Sequence, residues 1–286
     1  MKIGISTYSL AREAIAGRMD CPAMIDFVAD RDGEQIELSP GNWCNTSDQE
    51  VVNAIVKRAK ERNILLSSYT IGANFVKPSA AEVAAEVERV KEQVEIAARL
   101  GVKVMRCDAG AVPAPEATFE RFELELPKVA ESVGVIADCA AKYGITLTVE
   151  NHGFLFQNSE RVQRLIRAVN RANYRTTLDV GNFLCDDEDP VHATRNNIAL
   201  AAQIHFKDFL IKRPGEFLPE GNWLTTRCGY NLRGTVIGHG ALPVAELAKI
   251  IRESGFDGSI SVEFEGPEDC IKGTEWGMKT LQNLFK

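Results

Sequence analysis

The sequence predicts a (β/α)₈ barrel built as one domain over residues 1–286. Three observations lead there. Short β-rich runs alternate with longer amphipathic stretches along the whole chain, which is the pattern of a parallel sheet covered by helices. Eight such runs can be counted, the number that closes a barrel rather than leaving an open sheet. No Gly/Ser- or Pro-rich linker, low-complexity tract or repeat beyond the βα alternation divides the chain.

The predicted strands are Ile3–Tyr8, Gln35–Leu38, Leu65–Thr70, Val102–Arg106, Thr146–Glu150, Thr176–Asp179, Gln203–Phe206 and Ile260–Glu263. Between them, Ser47-Asp-Gln-Glu50 and Ser79-Ala-Ala-Glu82 match the capping box that satisfies free N–H groups at a helix start. Gly101 and Gly144 follow long helical patterns, where a left-handed C-cap is needed. Pro127 interrupts the stretch Thr118–Tyr143 and predicts a break or kink; Pro190 and Pro243 suit the first turn of later helices. Residues 209–242, rich in Gly, Pro, Arg and aromatics, read as one long irregular loop over the C-terminal face and a candidate lid.

At 286 residues and 45% apolar content the chain can bury a large core. Its formal charge of −7 opposes a polyanion, so no nucleic-acid partner is expected. Seven scattered cysteines without a CxxC or a Cys/His pair read as reduced thiols. No apolar run is long enough for a signal peptide or membrane span. A cytoplasmic protein with no membrane partner is the expectation.

Alternation along a barrel strand sends every second side chain inward, and the last inward residue faces the catalytic mouth. Burying Ile145, Leu147 and Val149 outward turns Thr146, Thr148 and Glu150 inward; Thr177 and Asp179 follow on the next strand. Burying Ile204 and Phe206 directs Gln203, His205 and Lys207 to the lumen, and burying Ile260, Val262 and Phe264 does the same for Ser259, Ser261, Glu263 and Glu265. A lone carboxylate at a strand end is ordinarily a solvated rim residue. Four ligand types on the last four strands are another matter, because bare carboxylates converging on one mouth repel and a cation resolves the conflict. Glu150, Asp179, His205 and Glu263 are thus candidate ligands for one divalent metal ion, Mn²⁺ foremost, with Mg²⁺, Co²⁺ or Zn²⁺ as alternatives. The absence of thiolates argues against a purely structural zinc.

The segments TVENHG, TLDVGN, IHFKD and GSISVEFEG, preceded by KIGISTYSL, QIELSPG and VKVMRCDAG, resemble the xylose-isomerase-like TIM-barrel superfamily of sugar (phosphate) isomerases and epimerases. The resemblance spans nearly the whole chain, and the order Glu, Asp, His, Glu is its specific part. It implies a metal at those four residues, with Glu150 and Glu263 as acid/base groups on either side of the substrate carbon. The last strand offers Glu265 as a rival, but the pattern places the ligand at the first Glu of VEFEG. The related three-zinc apurinic endonucleases depart from this chain, since Asn182 stands where they resemble a histidine and only His152, His192, His205 and His239 are present.

The function the resemblance implies is a divalent-metal-dependent isomerase or epimerase of a sugar or sugar derivative in carbohydrate metabolism, transferring a proton through a metal-stabilised enediolate. A dehydratase of a keto-polyol on the same site and a non-catalytic carbohydrate-binding barrel are the alternatives. The partner is a small molecule; a homo-oligomer is left open. Substrate-binding candidates are His152, Lys207, Arg106, Glu37 and His239, each with a structural alternative: turn-capping, a rim lysine, an Arg–carboxylate pair, an idle loop histidine. Trp43, Trp223, Phe75 and Tyr230 fall in rim loops where a ring can stack on a sugar. Arg213, Arg227 and Arg233 in the long loop could bind a phosphate or carboxylate.

Overall fold

Eight parallel strands close into a barrel in the computed structural model, which describes all residues from Met1 to Lys286. In chain order they are β1 (Lys2–Ser6), β2 (Gln35–Leu38), β3 (Leu65–Ile71), β4 (Val104–Cys107), β5 (Thr146–Glu150), β6 (Tyr174–Asp179), β7 (Ala201–Phe206) and, after three further strands, β11 (Ser259–Val262). Closure is between β1 and β11, with Ile3 beside Ile260 and Ile5 beside Val262. The predicted fold class is therefore the observed one. Gly4 is required at the β1–β2 seam, because a Cβ there would lie 1.7 Å from the Gln35 carbonyl oxygen.

The period of two sorts side chains as expected. Ile36, Leu147, Val149, Leu178, Ile204, Phe206, Ile260 and Val262 are completely buried against the helices, and one apolar core runs around the whole barrel. The lumen instead is polar and wired by hydrogen bonds. Gln35 donates to Ser261 Oγ at 3.0 Å, and Thr148 and Thr177 share a bond of 2.7 Å. Burying these groups is tolerable only because they satisfy one another.

Several local expectations are corrected. The first helix cap of the two is Asp48, whose carboxylate accepts from Glu50 N at 2.8 Å, rather than Ser47. Ser79 caps as predicted, and Gly101 and Gly144 take positive φ. The break expected at Pro127 does not occur, and a single helix runs Phe119–Ala141 through it. The ring removes one N–H donor, but Phe122, Val129, Val133 and Ile136 are all completely buried, and that apolar face holds the helix together. Pro190 opens its helix, whereas Pro243 precedes Val244–Glu253 as the cap residue.

The expected irregular loop contains its own small sheet. β8 (Asp208–Lys212), β9 (Leu224–Thr225) and β10 (Asn231–Thr235) pair antiparallel in the order β8-β10-β9. The Asp208 carboxylate ties its two ends, accepting N–H bonds from Phe209 at 2.8 Å, Gly238 and Gly240 at 2.9 Å, and Leu242 at 3.1 Å. Because it follows β7, this insert stands on the C-terminal face of the barrel. All seven cysteines are free, and no helix is long and apolar enough to cross a membrane.

Candidate metal centre

Glu150 ends β5, Asp179 ends β6, His205 is the penultimate residue of β7 and Glu263 follows β11 directly. One ligand atom from each lies within 4.8 Å of the other three, and all four residues are buried. His205 Nδ1 faces this cluster, 3.0 Å from Glu150 Oε1 and 3.7 Å from Glu263 Oε2. Adjacent donors around an octahedral ion with bonds of about 2.1 Å are about 3 Å apart, so the spacing suits one small divalent cation after slight tightening.

The other imidazole nitrogen is committed elsewhere. Nε2 lies 2.8 Å from Glu37 Oε2, across the lumen from β2, a strand not adjacent to β7 in the barrel. That contact shows both side chains pointing inward. Although burial opposes it, the carboxylates of Glu37, Glu263 and Glu150 raise the imidazole well above its ordinary pKa, so both nitrogens carry protons here; a metal ion would displace the Nδ1 proton, while Nε2–H donated to Glu37 fixes the ring in the tautomer a ligand needs. Gln203 Nε2 also donates to Glu37 Oε2, which keeps the carboxylate in place.

Two buried cations hold the carboxylates. Arg106, at the mouth end of β4, reaches Glu150 Oε2 and Asp108 Oδ1, each at 2.5 Å. Lys207 Nζ lies 2.5 Å from Glu263, 3.1 Å from Glu265 and 3.2 Å from Asp179. Burial alone would raise the Glu150 carboxyl, but Arg106 and His205 hold it well below the usual range. Lys207 lowers Glu263 against the same burial penalty. Asp179 is different: burial outweighs Lys207, assisted by the nearby Glu150 and Glu263, and its carboxyl is pushed up to about 7.

The residues present fit a divalent cation. Asp179 accepts from the Gly181 and Asn182 N–H groups through Oδ1, at 2.7 and 2.8 Å. Its Oδ2 is buried with no hydrogen-bond partner, 3.2 Å from Lys207 Nζ. Asn151 locks the backbone at this point, exchanging bonds of 2.8 and 2.9 Å with the Asp179 carbonyl and N–H. Six carboxylates, Glu37, Asp108, Glu150, Asp179, Glu263 and Glu265, face three positive groups, Arg106, Lys207 and the His205 imidazole, of which the last would lose its charge on binding a metal. Such an excess of buried negative charge needs a further cation to persist in ionised form.

Other sequence candidates divide. His152 stands at the rim with Nδ1 3.6 Å from Asp108 and lines a cavity of about 530 Å³ together with Lys207, Glu265, Phe154, Phe209 and Trp223. Glu37 sits below the cluster against His205 rather than on a cavity wall. His239 is not brought to the site; it is exposed and lies against Trp276, ring centres 6.1 Å apart. Phe75 is core, and Tyr230 is exposed on the insert. Asp108 escaped the sequence reading, although its place two residues beyond Arg106 is on the inward face of β4 extended.

Several known proteins resemble this chain. Inosose dehydratase of Bacillus licheniformis is 26% identical over 157 residues, covering 54% of this chain and 51% of that protein; the chain thus spans about half the length of the curated relatives it matches. Among solved structures, D-psicose 3-epimerase with D-tagatose from Clostridium cellulolyticum H10 superposes with a TM-score of 0.78 at 15% identity over 100% of both chains. The IOLI protein with a binding zinc atom does so with a TM-score of 0.74 at 15% identity, over 100% of this chain and 98% of the other. At these identities the structural likeness shows a shared fold. The model of the xylose isomerase-like TIM barrel family matches residues 25–284, nearly the full length, and the chain belongs to that family.

Proposed function

We propose that the protein is a divalent-metal-dependent enzyme that removes a proton next to the carbonyl of a keto-sugar or keto-polyol and returns it, giving isomerisation or epimerisation. The observation that carries this is the convergence of Glu150 and Glu263, both ionised and both held by buried cations, on one cluster with Asp179 and His205. A divalent ion at Glu150, Asp179, His205 and Glu263, for which we favour Mn²⁺, would supply Lewis acidity that makes the neighbouring C–H more acidic.

The protein's own groups do the rest. A carboxylate kept deprotonated can accept a proton from carbon, and Arg106 and Lys207 keep Glu150 and Glu263 in that form. The Lys207 ammonium, 2.5 Å from Glu263, holds that carboxylate in place and can donate a hydrogen bond to a substrate oxygen. Side chains from the insert wall the cavity above, which limits water around the exposed carbanion.

A second reading is dehydration on the same site. The sequence match to inosose dehydratase favours it, and so does His152 on the cavity wall beside Asp108, placed to protonate a departing hydroxyl. Both outcomes begin with the same proton removal and part at the next step. Incubation of the Mn²⁺-loaded protein with ketoses and keto-inositols in deuterated water, followed by NMR, distinguishes them. Deuterium at carbon without loss of water is expected; loss of water identifies the dehydratase; no exchange with any substrate sinks both. Elemental analysis should also show metal lost in Glu150→Gln and Asp179→Asn variants, and unchanged occupancy would refute the centre.

A further inference from the structure

A second cavity, of about 440 Å³, opens beside the first and shares Asn222 and Glu265 with it. Its wall carries Arg233, from the middle of β10. The period of two in this strand puts Leu232 and Gly234 on the wall of the first cavity and Arg233 on that of the second. The guanidinium rests over the Trp223 ring, 5.1 Å from its centre, and Trp223 is itself held by an Nε1–H bond of 2.9 Å to the Pro219 carbonyl.

Unlike Arg227 of the same insert, Arg233 makes no ion pair within 4.0 Å, and its Nε is buried without a hydrogen-bond partner. That is unusual in a chain with 40 acidic against 33 basic residues, because a desolvated guanidinium donor without an acceptor is costly. The one carboxylate on the same wall, Glu265, is engaged through Oε1 by Lys207 at 3.1 Å. The neighbouring arginine of this cavity, Arg12, is also committed, donating to the Pro267 carbonyl at 3.1 Å and to the Glu268 carbonyl. Of the other arginines in the insert, Arg227 pairs with Asp186 at 3.2 Å and neither it nor Arg213 lines either cavity.

The position of Arg233 relative to the metal centre is set by backbone contact. Its neighbour Gly234 packs so tightly on Glu265 that a Cβ would lie 2.8 Å from the Glu265 carbonyl carbon and oxygen. Glu265 leads through Lys207 to Glu263 and Asp179. The cation is thus held on the wall of a cavity that shares Glu265 with the neighbouring one, where Lys207 stands in contact with Glu263 and Asp179. Tyr8 closes the same wall, and burial together with the charges of Glu265 and Glu263 raises its phenol above the ordinary range. It remains a hydroxyl that can donate.

We infer that Arg233 is the anion-binding residue of the substrate site, and that the substrate is a keto-sugar or keto-polyol carrying a carboxylate or phosphate at the end remote from the carbonyl. A planar guanidinium stacked on indole is pre-organised for forked recognition of either group, and Tyr8 and Asn222 stand on the same wall to donate to it. This names the substrate class for the proposed function and rests on that reading only for the location of the carbonyl.

Calorimetric titration of the Mn²⁺-loaded protein with D-fructose, D-fructose 6-phosphate and 5-keto-D-gluconate tests it. One of the two anionic probes should bind more tightly than D-fructose, and which one does identifies the group. Arg233→Met should weaken that probe by about 10- to 100-fold, as expected for one charge-assisted contact, while D-fructose changes less than about twofold. Arg233→Lys, which keeps the charge, should recover part of the loss and guards against a mere packing defect in the methionine variant. Anionic probes that bind no better than D-fructose, or an Arg233→Met protein that binds them as the parent does, overturn the inference. Failure of carbon–deuterium exchange with Arg233-dependent anion binding intact would instead condemn the catalytic reading alone.

Discussion

Replacing Lys207 by methionine removes a buried ammonium while keeping most of its aliphatic stem, and leaves three carboxylates facing one another. Glu265 is about one-third exposed and can turn to water, so the loss falls on Asp179 and Glu263, whose side chains are 0% and 7% exposed. Removing one partner of a buried ion pair costs about 3–5 kcal/mol. With an unfolding entropy of about 2.1 cal/mol/K per residue, that lowers the melting temperature of a chain this long by about 5–8 °C. Burial opposes the charge on Lys207, yet Asp179, Glu263 and Glu265 together raise its pKa well above the ordinary lysine value. A raised lysine stabilises fully below its unfolded pKa and loses that contribution only as the pH climbs through the folded value, so calorimetry at neutral pH reads the whole effect. The predicted signature is metal dependence. In chelator-stripped protein the full deficit should appear; with saturating Mn²⁺ the ion supplies the missing positive charge and the deficit should shrink to about 2 °C or less. An equal deficit with and without Mn²⁺ would mean that Lys207 acts by packing, and no deficit in stripped protein would refute the charge accounting at this site.

Two further substitutions probe residues that position the metal ligands and Arg233. Glu37→Gln should lower Mn²⁺ affinity by about 10- to 100-fold, because the group that orients His205 loses its charge; unchanged affinity in a metal titration would remove Glu37 from the positioning of that ligand. Gly234→Ala forces a methyl against the Glu265 backbone and should cost about 1–3 kcal/mol while also weakening the anionic probe, since Arg233 moves with the strand. A stability loss with unaltered anion affinity would show that the β10 position does not set the anion subsite.

Much of the barrel was legible because alternation is local: Ile204 and Phe206 can be buried only if Gln203 and His205 point the other way, and no tertiary information is needed to say so. The same rule carried Glu150, Asp179 and Glu263 to one mouth. What alternation does not reveal is who meets whom across the lumen. Glu37 and His205 lie 168 positions apart on strands that do not touch, and their contact follows from barrel closure and strand tilt. Asp108 was hidden for a related reason, since its importance lies in a guanidinium that also reaches Glu150. The insert was the hardest segment, because β9 has two residues and β10 five, too few for a periodicity to stand out from a Gly-rich background. Yet it supplies Trp223, Leu232 and Arg233 to the cavities. On the proposed reading the barrel carries the proton chemistry on rigid strand ends whose register is dictated by core burial. Recognition is assigned to a small sheet anchored by the Asp208 carboxylate and the Gly234–Glu265 contact. That division would let the insert change without disturbing the ligand cluster, because the contacts that fix Arg233 lie in the insert and at Glu265, not on Glu150, Asp179 or His205.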